Sequence, residues 1–93
     1  MAISLAERTE QLRAEQRLLK KADTDIEEGW QRVRDQEHRV RELLADGHDI
    51  RQAERLVDLL KQTLVEWERH RTLIQQRVIY LQSEVYPVPP TAK

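Results

Sequence analysis

A chain of 93 residues has room for one domain, and with a hydrophobic fraction of 39%, 35% charged residues, 4% aromatics, no Phe and only two Gly, its composition is that of long helices rather than of a globule. Sixteen basic residues face seventeen acidic ones for a formal net charge of −1, which removes the bulk electrostatic case for binding nucleic acid or anionic membrane. The absence of Cys excludes disulfides and thiolate metal sites, and with no basic leader at Met1-Ala2-Ile3 and no apolar run near the ~18 residues of a membrane span, the expectation is a soluble, cytoplasmic protein.

The first helix is expected over residues 4–46. Ser4-Leu5-Ala6-Glu7 fits the S-x-x-E capping box at its start. Leu5, Leu12, Leu19, Ile26, Val33 and Val40 then recur every seven residues without a slip, one column of a heptad pattern. The companion column, Thr9, Gln16, Asp23, Trp30, Glu37 and Leu44, is mostly polar, so the seam is narrow. Thr24 could cap a new helix, and Gly29 costs about 1 kcal/mol in a helix interior. The apolar column nevertheless passes Leu19, Ile26 and Val33 in constant phase, which favours one continuous helix to about Ala45.

A turn at 47–49 follows, where stop and start signals stand back to back. Gly47 can take the left-handed conformation that ends a helix, and Asp49 can accept the first free N–H groups of the next, with Gln52 completing a D-x-x-Q variant of the capping box. His48 is placed to hydrogen-bond the last carbonyls of the first helix and to favour the negative end of its dipole.

The second helix is expected over 50–86. Ile50, Val57, Leu64, Arg71, Val78 and Val85 form one column and Ala53, Leu60, Trp67, Ile74 and Leu81 the other, with only Arg71 interrupting. Folding at the turn sets Trp30 against Leu64 and Trp67, Leu19 against Ile74 and Val78, and Asp23 against Arg71. That polar pair fixes register rather than adding stability, because desolvation offsets the attraction. A further stripe, Leu56, Leu59, Thr63, His70, Leu73 and Tyr80, lies about 100° around the helix from the seam. A helix with two apolar stripes wants two neighbours. The tail from Pro87 to Lys93 is expected to be extended or disordered, since proline ends the helix and restricts the residue before it.

Candidate chemistry is thin. His38 and His70 each stand one turn from a carboxylate, a spacing that can hold a metal, but neither belongs to an H-E-x-x-H or a paired Glu-x-x-His motif. The expectation is no metal, no cofactor and no catalytic residue. His70, on the second stripe, could couple association to pH. Arg32, Arg34, Arg39 and Arg41 resemble a polyanion patch until Glu28, Asp35 and Glu37 are noticed one turn before Arg32, Arg39 and Arg41, the favourable order for surface pairs. Trp30 and Trp67 read as seam residues, with a ligand slot beside Gly29 as the alternative. Pro87-Val88-Pro89-Pro90 could present a polyproline ligand, but such a tail is usually a terminator. No phosphate loop or nucleophile elbow can be assembled.

Gly29, Gln36, Val40, Leu43, Gly47-His48-Asp49, Ala53, Leu56, Val57, Leu60, Thr63-Leu64 and His70-Arg71 together resemble a loose group of short, uncharacterised α-proteobacterial helical proteins with a G-H-D turn. The resemblance spans roughly residues 25 to 75 and implies a helical hairpin and no mechanism.

The resulting expectation is an all-α, two-helix antiparallel coiled-coil hairpin that dimerises into a four-helix bundle. Its role would be a non-enzymatic protein–protein interaction module, a scaffold, adaptor or regulator with a possible further protein partner. The self-association residues are Leu56, Leu59, His70, Leu73 and Tyr80. A nucleic-acid or polyanion binder and a metal-binding bundle are the alternatives, and whether each chain folds on itself or swaps its second helix with a partner stays open.

Overall fold

The computed structural model describes residues 3–87, so the tail expected beyond Pro87 lies outside the described residues. Helix α1 runs Leu5–Ala45 without interruption, helix α2 runs Arg51–Val85, and no strand occurs among the described residues. The two pack side by side as a helical hairpin of 68 × 33 × 16 Å.

Each helix end has a local cause. Ser4 is extended and its Oγ accepts the Glu7 N–H at 3.1 Å, while its hydroxyl donates to Glu7 Oε1 at 3.2 Å. Only half of the capping box forms, because Glu7 answers the hydroxyl and not the backbone N–H of Ser4. At the other end Gly47 has φ 77°, the His48 N–H bonds the Leu43 carbonyl at 2.9 Å and the Gly47 N–H bonds that of Leu44 at 3.1 Å. These two bonds make a Schellman motif. They also correct the role expected of His48, whose backbone rather than imidazole satisfies the helix end.

The start of α2 departs from the expected D-x-x-Q box. Ile50 occupies the cap position with no side-chain hydrogen bond. Asp49 Oδ1 accepts the Arg51 N–H at 3.0 Å, and the carboxylate also holds the Arg51 guanidinium at 2.7 Å. The Arg51 side chain first, and its N–H second, keep the Asp49 carboxyl below its ordinary range. Asp49 therefore spends its oxygens on Arg51, and Gln52 does not complete a box.

The core divides into two clusters. Leu12 packs with Ile74, Val78 and Leu81, flanked by Leu19, Ala22 and Val85. Val33 packs with Val57 and Leu64, flanked by Ile26, Trp30, Val40 and Leu60. Between them Arg71 Nε donates to Asp23 Oδ1, and Arg71 Nη1 to Gln75 Oε1 at 3.1 Å.

On α1 the inward face is broader than the expected seam. Arg8, Glu15, Ala22, Gln36 and Leu43 are half-buried and Gly29 is buried, whereas Gln16, Asp23 and Leu44 of the companion column stay exposed. The reason is close approach. A Cβ built at Gly29 would collide with Leu64 Cδ2 and stand 3.5 Å from Trp67 Cζ3, so the small column lets α2 come near. Leu64, at 2% exposure, fills the space beside Gly29, and no ligand slot exists there. Trp67, expected in the core, is displaced outward to 38% exposure, and Trp30 is half-buried with its Nε1 donating to Glu68 Oε1 at 3.1 Å.

Candidate functional site

Seven large apolar side chains are buried and twelve are exposed among the described residues, so the hairpin leaves many of its large apolar side chains facing outward. Scattered exposed leucines are ordinary, but clustered ones are not. Leu56, Leu59, Leu73 and Tyr80 all lie on the outer side of α2, with Leu73 at 59% and Tyr80 at 60% exposure. His70 is exposed beside them and shares an open groove of about 310 Å³ with Ala22, Asp25, Ile26 and Trp67. These are the residues the second stripe singled out, and none is covered by α1.

A further column escaped the sequence reading. Val65, Ile79 and Tyr86 are also exposed, at seven-residue spacing through Thr72. The signal was available in that spacing, but Asp58 at its start and Thr72 in its middle dilute the apolar character. Together the two columns flank Gln62, Arg69, Gln76 and Ser83 on the face turned away from α1.

Charge is arranged to match. Four ion pairs bridge the helices: Arg8 with Glu84, Glu15 with Arg77 at 3.0 Å, Asp23 with Arg71, and Glu37 with Lys61 at 3.2 Å. The within-helix pairs expected for Arg32, Arg39 and Arg41 do not form. Glu37 reaches across to Lys61 instead, and Asp35 accepts from Gln31 at 2.8 Å. His38 lies 3.5 Å from Glu42, one turn after it rather than before.

Among the described residues no three His, Asp or Glu side chains converge as a metal site, and no helix is long and apolar enough to cross a membrane. His48 and Asp49 are exposed in the turn, far along the rod from Tyr80. What the geometry offers is a surface: an apolar, uncovered helix face whose charges near Tyr80, Arg77 and Glu84, are drawn onto α1. No family model, curated protein or solved structure matches the chain.

Proposed function

We propose that the chain is a non-enzymatic helical interaction module that works in the cytoplasm as a homodimer, two hairpins closing a four-helix bundle that serves as a scaffold, adaptor or regulator. The observation carrying this reading is the unpartnered apolar face of α2, which leaves as many large side chains exposed as the whole hairpin buries for itself. Burial of apolar surface is worth about 25 cal/mol per Å², so a helix leaving this much exposed gains by association.

The test is sedimentation equilibrium of the purified chain beside the variant combining Leu59→Glu with Leu73→Glu. The parent is expected to be a dimer, and the variant a monomer or an unfolded chain, since a carboxylate at position 73 would be desolvated at the contact. A variant that remains dimeric with unchanged melting would show that the face is misassigned.

A further inference from the structure

In a chain with 35% charged residues, the outward face of α2 from Thr72 to Tyr86 carries no charge at all. Thr72, Leu73, Gln76, Ile79, Tyr80 and Ser83 are exposed there. The charged residues of that stretch are Arg77 and Glu84, and both turn to α1, onto Glu15 and Arg8. The half of α2 nearer the turn is different. Arg55, Asp58, Glu66 and Arg69 share its outward side.

Resting on the dimer reading above, we infer that a second copy of the chain covers the neutral face, its α2 running antiparallel to the first with the two-fold axis beside Gln76. Around a two-fold axis a surface meets itself, so a charged surface meets its own sign. An axis beside Gln62 sets Asp58 against the partner's Glu66 and Arg55 against the partner's Arg69, and both contacts repel. An axis beside Gln76 sets Leu73 against the partner's Ile79 and Tyr80, Arg69 against the partner's Ser83, and Glu66 against the partner's Tyr86. Gln76 then faces its own copy, and a primary amide both donates and accepts, so two of them satisfy each other. The overlap runs from Glu66 to Tyr86, roughly 30 Å of helix, and leaves Leu56 and Leu59 outside it. The turns point away at opposite ends of a staggered rod on the order of 90 Å long, against 68 Å for one hairpin.

The chain has no cysteine, so a single introduced one reports its neighbour without interference. Gln76→Cys and Gln62→Cys, each an exposed position, are oxidised mildly at micromolar concentration after circular dichroism has shown unchanged helicity. Gln76→Cys is expected to link into a dimer on denaturing gels in most of the protein, and Gln62→Cys to remain single chains. Sedimentation of the cysteine-free parent separates the two readings. A dimer that links through Gln62→Cys, or through neither position, overturns the axis and leaves the dimer standing; a monomeric parent overturns both.

Discussion

At Gly29 two effects oppose each other. Alanine there recovers about 1 kcal/mol of helix propensity, while its methyl collides with the buried Leu64 side chain, an overpacking cost of about 1–3 kcal/mol. Urea denaturation is expected to show Gly29→Ala as a net loss of roughly 1 kcal/mol. In a Leu64→Ala background, which itself costs about 2–5 kcal/mol, the same substitution should turn into a gain. The same sign in both backgrounds would mean that Leu64 is not what demands the glycine. Gly47 is required for a different reason: nothing lies within 4 Å of an added Cβ, so only its φ of 77° calls for glycine. Tyr80 offers a spectroscopic reporter. Its hydrogen bond with Glu84 first, and the negative charge of Glu84 second, hold the phenol above its ordinary value of 10.0. The folded state thus favours the protonated form, and the associated stability is full below the ordinary value and is lost as pH rises through the folded one. In a Tyr86→Phe background, absorbance titration should find Tyr80 ionising late and Glu84→Gln bringing it back. Superimposable curves would clear Glu84 of the effect.

For the helices as elements, the seven-residue column from Leu5 to Val40 was enough to place α1 and to carry it unbroken through Asp23-Thr24 and Gly29. The same column did not tell which flank turns inward. The more apolar choices lay unnoticed in Ala22, Gly29 and Leu43, because small residues count little in a hydrophobic pattern and only matter when a partner helix approaches. Asp23 opposite Arg71 was legible, since the turn position alone sets which residues face each other. That pair is half-exposed, with side chains at 51% and 32%, which places it near the range of about 0–1 kcal/mol for surface pairs. Replacing both, Asp23→Leu with Arg71→Leu, would join the two apolar clusters across the gap. The thermal midpoint is expected to stay level or rise, and a fall of many degrees would reveal the ion pair as a major stabilising contact.

As a whole molecule the hairpin is a rod: its radius of gyration of 20.7 Å compares with roughly 12 Å for a compact domain of this length. A rod of two helices has one line of contact and buries few side chains. Assembly should therefore be visible in the melting itself. Mass action predicts a midpoint that climbs with protein concentration, whereas a concentration-independent midpoint would describe a self-sufficient monomer. If the axis passes Gln76, Gln76→Glu and Gln76→Lys should each sediment as single chains and an equimolar mixture as dimers, because like charge on the axis repels and unlike charge attracts. Two variants that dimerise as well alone as when mixed would place the axis elsewhere.

The amino-acid sequence by itself determined the helices, the position of the turn at Gly47 and the facing of Asp23 with Arg71, because periodicity and a left-handed glycine act over a few residues. Only the tertiary structure decided that Asp49 holds Arg51 instead of a capping box, that Trp67 is pushed outward, and that the charges of α2 near Tyr80 turn to α1. Those outcomes depend on how closely two helices approach and on which side chains compete for one partner. Distances across the hairpin set both, and a linear pattern does not contain them.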